Sequence, residues 1–354
     1  MHTQNSKKIA LLGFAHAHAN AYLDVWRQQP QLGVLPVAGW DHDPDRAAAA
    51  TEKHGLENAA SVAEILDRAD IDAVLIAAET VRHADLTCAA AAAGKAIILQ
   101  KPLALTLAEA DRIVAAVERH RVPFTLAWQM RVDPHNLKIR ELLADGHFGK
   151  IYMVRRRHCL SVQKWPGFEK SWHVDPAANR DIFADDAAHP ADFLLWLLGM
   201  PQSVMAELGT LGNPAIPNDN AIAIFRYANG TFAEISTTFV ASAGENVCEV
   251  VCEHGTIIAN YGDQVSCLNP WPPGAIQLKW FHTADNQWTI SDLPDITIQG
   301  TRISGLAGPL ARFLHGQQPP LATAAEGHQA LRMILACYES ATTGRRVTFN
   351  NPST

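Results

Sequence analysis

The chain has 354 residues, 48% of them apolar, enough for one large or two medium domains with full cores. Its 29 basic and 36 acidic residues leave a net charge of −7, and without a long basic run this composition argues against a nucleic-acid partner. No apolar run approaches the ~18 residues of a membrane span, and the polar start Met1–Lys8 lacks the core of a secretory signal, so a cytoplasmic protein with no membrane partner is expected.

The first third alternates strand and helix. Lys8–Leu12 reads as an apolar strand, Ala17–Gln28 as a helix, and Leu35–Trp40 as a strand ending at Asp41. Asp45–His54 is alanine-rich and helical, and "SVAEILDR" is a short helix with Ser61 as its N-cap. "AVLIAA" is a buried strand at 73–78. His83–Ala93 is helical and closes at Gly94. Ala96–Gln100 is a strand, and Leu107–His120 another helix. "VPFTLAWQM" adds one more strand and leads out of this domain. Continuous apolar strands separated by helices predict a parallel sheet covered on both faces.

After about residue 125 the rhythm changes. Helix Pro134–Asp145 precedes the strand "KIYMVRRRHC", and helix Pro190–Leu198 ends at Gly199. "SVMAELGT", "AIAIFRY", "GTFAEISTTFV", "NVCEVVCE" and "GTIIANYG" then follow as strands between Gly and Asn turns, predicting an antiparallel sheet. On strand "KIYMVRRRHC" two of Arg155, Arg156 and Arg157 share one side. A final helix covers Ala324–Ala341, ending near Gly344. The expected architecture is an α/β Rossmann domain over residues 1–125, then an α+β domain over 126–354 with a large, mostly antiparallel open sheet. A C-terminal segment is expected to pack back on the first domain. Cys88, Cys159, Cys248, Cys252, Cys267 and Cys337 are scattered in a pattern that suits neither a zinc knuckle nor a redox pair, and are read as buried thiols.

The stretch "IALLGFAHAHAN" carries the first chemistry. A strand, Gly13, then a helix start is the geometry that cradles a pyrophosphate, although Ala15 and His18 stand where two further glycines are usual. Ala15 remains small enough for close backbone approach. Asp41 ends the second strand, where a carboxylate accepts hydrogen bonds from ribose hydroxyls and repels a 2′-phosphate, so NAD is preferred over NADP. Taken alone, Asp41 reads equally as a turn residue in "DHDPDR". His16 and His18, two apart, point to opposite sides of a helix, so no metal site is expected there: one caps or packs at the helix start and the other lies near the cofactor.

At "LQKPLALTLAEADRIV" the sequence resembles the Gfo/Idh/MocA oxidoreductases, whose Glu-Lys-Pro segment is here Gln100-Lys101-Pro102. "IAAETVRHADLTCAAAAAGKAIILQKPLA", "IRELLADGHFGKIYMVR", "DIFADDAAHPADFLLWLLG" and "ALRMILACYESATTGRRVTF" resemble further family segments in the right order. "GFAHAHA" resembles a branch in which histidines replace the later glycines. The resemblance implies a Rossmann domain plus an α+β domain whose open sheet mediates homodimer or homotetramer contacts, and NAD(P)-dependent oxidation or reduction of sugars, inositols and related polyols. Lys101, Asp185 and His189 match the family's catalytic positions. The cofactor is then expected against Gly13, Phe14, Ala15, His16, His18 and Asp41, and against Ala78, Glu79, His83, Gln100 and Lys101. Four departures stand out: Gln100 for Glu, Ala78-Glu79-Thr80 for Thr-Pro-Asn, Asn179-Arg180-Asp181 for three glycines, and Ala187 for glycine.

Alcohol oxidation needs a hydride acceptor and a base for the hydroxyl proton. His189 suits the base, since an imidazole titrates near neutrality and Pro190 sets it at a helix N-terminus that disfavours imidazolium. Lys101, at the ligand-binding edge of a parallel sheet, suits stabilisation of alkoxide charge. Asp185 binds a neighbouring hydroxyl or orients His189, and Asp192 is a second candidate partner. A carbohydrate substrate is expected against Trp128, Gln129, Arg131, Arg157, His158, Trp165, Trp172 and His173. Equally, the tryptophans pack under a long loop and the arginines pair with acids. Two alternatives to net dehydrogenation remain: redox-assisted glycoside cleavage using His158 or His173 as a further acid/base, and a non-catalytic nucleotide sensor.

Overall fold

The computed structural model describes residues 6–261, 269 and 273–349, so Cys267 lies outside the described residues. The chain divides into two compact units. One comprises Met1–Val132, Ala177–Asn179 and Arg302–Leu331, the other Asp133–Pro176, Arg180–Thr301 and Arg332–Thr354.

The first unit is built on six parallel strands: β1 (Lys7–Leu12), β2 (Val34–Trp40), β3 (Glu57–Asn58), β4 (Ala73–Ile76), β5 (Ala96–Leu99) and β6 (Phe124–Leu126). Their order is β3-β2-β1-β4-β5-β6. β4 is AVLI throughout and wholly buried, because helices cover both faces of the sheet. Local chemistry fixes the helix starts. Asp43 caps Pro44–His54, Ser61 caps Val62–Leu66, and Thr106 with Glu109 forms a capping box at Leu107–His120. Residues 302–331 complete this unit: Trp26 Nε1 donates to the Ala307 carbonyl at 3.0 Å, and Arg131 pairs with Glu326 at 2.6 Å.

The second unit is a nine-stranded sheet of order β14-β13-β12-β11-β7-β10-β9-β8-β15. Its strands are β7 (Ile151–Cys159), β8 (Ser203–Gly209), β9 (Asn220–Arg226), β10 (Phe232–Thr238), β11 (Val247–Cys252), β12 (Gly255–Asn260), β13 (Leu278–His282), β14 (Gln287–Ile290) and β15 (Val347–Thr348). The sheet is mostly antiparallel, as the sequence leads one to expect, with one parallel pair, β7 and β10. β8, β9 and β10 pair antiparallel in sequence, but β7 reaches β8 through a long helical connection that sets their relative direction freely. Strand alternation sorts the arginines. Arg156 is buried, with its guanidinium 4.7 Å from the Phe193 ring of helix Ala188–Leu198, whereas Arg155 and Arg157 face outward. Cys88, Cys159, Cys248, Cys252 and Cys337 are free thiols. No helix among the described residues is long and apolar enough to cross a membrane.

One buried carboxylate organises the β8–β9 connection. Asp219 accepts from the backbone N–H groups of Leu211, Gly212 and Asn213 at 2.7–2.8 Å. The adjacent Asn218, at φ 55°, donates to Asp181 Oδ2 at 2.6 Å. Asp181 in turn caps helix Ile182–Asp186 through Ala184 N–H. Burial alone would raise the Asp219 carboxyl, but these backbone donors and Asn220 hold it below the usual range. A depressed native value stabilises the fold above the unfolded value, and that contribution disappears as the pH falls through the native value. Asp219→Asn is therefore expected to lower stability by about 1–3 kcal/mol at neutral pH. The deficit should shrink towards zero as the pH is lowered below about 4. Urea unfolding across that range measures it; a deficit unchanged at low pH would contradict this account.

Candidate active site and nucleotide turn

β1 ends in Gly13, whose φ of 92° is a left-handed value that L side chains rarely adopt. An added Cβ there would lie 2.4 Å from Ala78 Cα, so glycine permits the close crossing of β1 and the β4 loop. Gly13 N–H donates to the Trp40 carbonyl at 2.7 Å, and His16 N–H to the Ala77 carbonyl at 2.9 Å. His18 N–H lies 3.4 Å from His16 Nδ1, and the two rings meet edge to face at 4.3 Å. His16 thus packs at the start of helix His18–Gln28, at a helix end with no side-chain N-cap from Ala17.

Asp41 departs from its expected role. Its side chain is wholly buried, and its two oxygens accept from Phe14 N–H (2.7 Å), Asp43 N–H (3.0 Å), Arg46 Nε (2.8 Å) and Arg46 Nη2 (2.7 Å). Two acceptor oxygens with four donors have little capacity left for ribose hydroxyls. Burial raises its carboxyl, yet Arg46 and the two backbone donors bring it below the usual range. Arg46 also donates to Glu79 Oε1 at 2.7 Å. Glu79 Oε2 is buried and accepts no hydrogen bond from the described residues; His42 and Arg82 approach it at 3.5 and 3.7 Å. The sequence reading missed Arg46, although its place one turn into a helix capped by Asp43 was visible.

The β4 and β5 loops are braced together. His83, expected at the cofactor, sets its ring nitrogens against the carbonyls of Pro102 (2.8 Å) and Ala78 (3.2 Å), so its role is to hold these loops. Gln100 is buried and donates to the Tyr22 hydroxyl at 2.8 Å. Lys101 is nearly buried, and its peptide bond to Pro102 is cis. Trp128 and Gln129 are buried. Arg131, proposed for substrate, is instead drawn into the interior by Glu326 and the Leu321 carbonyl, since a buried guanidinium requires a carboxylate and acceptors.

In the second unit two successive carboxylates face imidazoles. Asp185 Oδ2 lies 2.6 Å from His173 Nδ1, and Asp186 Oδ1 lies 3.7 Å from His189 Nε2 and 3.6 Å from His158 Nε2. Asp185, expected to bind a substrate hydroxyl or to orient His189, meets His173, and Asp186, three residues before His189, lies near His189 Nε2. The His173 ring stacks on Trp172 at 3.9 Å and lies parallel to Phe168 at 5.5 Å, with Trp165 edge-on to Phe168. His158 and His189 rings stand 5.9 Å apart. Arg157 leaves this group. Adjacent residues on β7 project to opposite faces, and Arg157 lies with Arg155, Glu207 and Ser236 in a groove on the other side of the sheet.

The residues of the first unit fit a dinucleotide: a glycine turn before a helix start, and a buried acceptor at Glu79 Oε2 suited to a ligand hydroxyl or amine. Residues 7–127 match the oxidoreductase family with an NAD-binding Rossmann fold, and residues 136–258 match the GFO/IDH/MocA C-terminal domain. The chain belongs to the GFO/IDH/MocA family. It is 29% identical to levoglucosan dehydrogenase of Pseudarthrobacter phenanthrenivorans over 71% of each chain. It is 26% identical to 1,5-anhydro-D-fructose reductase of Ensifer adhaerens, over 85% of this chain and 87% of that one. The solved structure of levoglucosan dehydrogenase with NADH and levoglucosan shares the fold, with a TM-score of 0.83 at 23% identity over 98% of this chain and all (100%) of that one. The protein is an NAD(P)-dependent oxidoreductase of the sugar and polyol dehydrogenase type, with an NAD-binding first unit.

Gly13→Ala should abolish high-affinity NADH binding, because a Cβ at this φ meets Ala78. Strain of about 1–3 kcal/mol should also lower the melting temperature. NADH fluorescence titration and thermal melting read the two effects, and wild-type affinity in this variant would contradict the assigned turn.

Proposed function

We propose that the protein oxidises a secondary hydroxyl of a sugar or cyclic polyol with NAD. The observation that carries this reading is the adjacent pair of carboxylates, Asp185 and Asp186, each facing an imidazole in a unit partnered in sequence with an NAD-binding domain. When bound, the nicotinamide accepts the hydride. The protein's share is orientation and proton handling. His189 takes the hydroxyl proton, and Asp186 stabilises the imidazolium that forms. Asp185 holds His173 with Nδ1–H towards the carboxylate, so the neutral ring carries its lone pair on Nε2 and can accept from a neighbouring hydroxyl. Trp172, stacked on that imidazole, offers a flat surface to the C–H face of a sugar ring. Lys101 stabilises developing alkoxide charge. Coenzyme preference is for NAD, because two carboxylates, Asp41 and Glu79, surround the adenosine end of the sheet.

The free thiols suit a reducing, cytoplasmic compartment. The outward face of the second unit's sheet exposes Met153, Ile222, Ile224 and Phe232 beside Arg155 and Glu234, and we place a homodimer or homotetramer contact there. The dehydrogenase and reductase relatives give no support to redox-neutral glycoside cleavage.

Incubation with NAD and a panel of anhydrosugars, aldoses, inositols and glycosides is the direct test. Accumulation of NADH in step with a keto product is expected; coenzyme binding without turnover on any member, or glycoside cleavage without NADH, would overturn the reading. His189→Asn should lower kcat by about 10²–10⁴-fold and remove the acidic limb of the pH–rate profile. His173→Gln should raise KM more than it lowers kcat; near wild-type kinetics in both variants would refute these roles. Replacing Ile222 and Ile224 with Glu should shift the mass measured by light scattering to that of a smaller assembly, and an unchanged mass would place the contact elsewhere.

A further inference from the structure

Asp41 follows β2 and Glu79 follows β4, and in the sheet these two strands flank β1 on either side. The Asp41–Arg46–Glu79 ion chain therefore straddles the end of β1, over which a dinucleotide lies in this kind of sheet. The two carboxylates are not equivalent. Asp41 is structural: it holds Phe14 N–H and Asp43 N–H, so the nucleotide turn itself depends on it. Among the described residues the Glu79 side chain takes no backbone donor: its Oε1 takes Arg46 and its Oε2 is a buried acceptor without a hydrogen bond. Arg46 is the part that reaches water, its side chain 28% exposed against 0% for Asp41 and 9% for Glu79. A partly exposed guanidinium at the adenosine end is the group a 2′-phosphate would seek.

We infer that Glu79 is the coenzyme-discriminating residue: it locks Arg46 against Asp41, withholding the guanidinium from a 2′-phosphate, and offers Oε2 to the unphosphorylated ribose. The inference rests on the NAD-binding reading above and adds a residue-level cause for the preference. With Glu79 in place, the ion chain carries two negative charges against one from Arg46, and Arg82 at 3.7 Å compensates only across a longer gap. An incoming phosphate dianion then meets a carboxylate rather than a free cation. With a neutral residue at 79, Asp41 still holds Nε and one Nη2 hydrogen, while the second Nη2 hydrogen, otherwise held by Glu79, is released to the phosphate.

The test needs no substrate. NADH and NADPH are titrated by fluorescence into wild-type protein, Glu79→Gln, Glu79→Asp and the double variant Glu79→Gln/Arg46→Gln at one ionic strength. Wild type should prefer NADH, and Glu79→Gln should shift the affinity ratio towards NADPH by about tenfold, the order expected for freeing one charge beside a phosphate in a half-exposed site. Glu79→Asp should remain near the wild-type ratio. In the double variant the gain for NADPH should vanish, since Arg46 is the group that makes it. An unchanged ratio in Glu79→Gln, or a shift that survives in the double variant, overturns the inference while leaving coenzyme binding intact. Should Glu79→Gln fail to fold, Arg46→Gln decides: NADPH must weaken relative to NADH, because two carboxylates are left uncompensated, and an unaltered ratio overturns the inference. Wild-type protein that takes up neither coenzyme overturns the proposed function as well.

Discussion

A carboxylate removed from water must be matched by donors, and the nucleotide end of the first unit is arranged around that requirement at Asp41. Four hydrogen bonds converge on it from the β1 turn, the β2 end and the helix beyond. The turn after Gly13 is therefore fixed in place by an ionic group rather than by a run of glycines. The histidines at positions 16 and 18 are tolerated for the same reason: Phe14 is already anchored, and His16 uses its ring to meet the helix start. Gly13 alone retains its glycine, because only there do the dihedral angle and the approach of Ala78 forbid a side chain.

The second unit uses the same device with different partners. Asp219 gathers three backbone N–H groups and is driven below the usual carboxylate range. Asp181 is pushed upwards, because burial outweighs what Tyr338, Ala184 N–H, Asn218 and the Arg180 charge return. Through Asn218 the two carboxylates link a hairpin loop to the cap of the short helix that ends in Asp185 and Asp186. The orientation of the His173 and His189 partners thus depends on a loop far away in sequence.

Most of the element order was legible because apolar periodicity reports burial directly, and a cap such as Ser61 marks a helix start within a residue or so. What was illegible depended on partners distant in sequence. Arg131 reads as a ligand-binding cation until Glu326, almost two hundred residues later, is seen to claim it. The His173 partner of Asp185 emerges only when the loop carrying His173 is brought beside the short helix. The parallel pairing of β7 with β10 depends on a crossover whose course no local pattern encodes. The displacement of Arg157 was legible: its neighbour His158 is two-residue-periodic with Arg156, so strand alternation alone separates them.

The departures from the usual family pattern come in matched sets. Thr80, in place of Asn, donates its hydroxyl to Asn179, which stands in place of Gly. Gln100, in place of Glu, gives its amide to Tyr22, whose hydroxyl is raised by burial and stays neutral. Glu79, in place of Pro, has Arg46. Asp181, in place of Gly, has Tyr338, Asn218 and a helix N-terminus. Each substitution places or changes a polar group in a buried setting, where an unmatched one costs about 1–3 kcal/mol. A chain losing its chemistry has no reason to keep such partners together with Lys101 and His189. Paired replacement around retained family positions is what a change of coenzyme or substrate preference requires, because the polar groups lining a site must be re-matched before they can distinguish a new ligand.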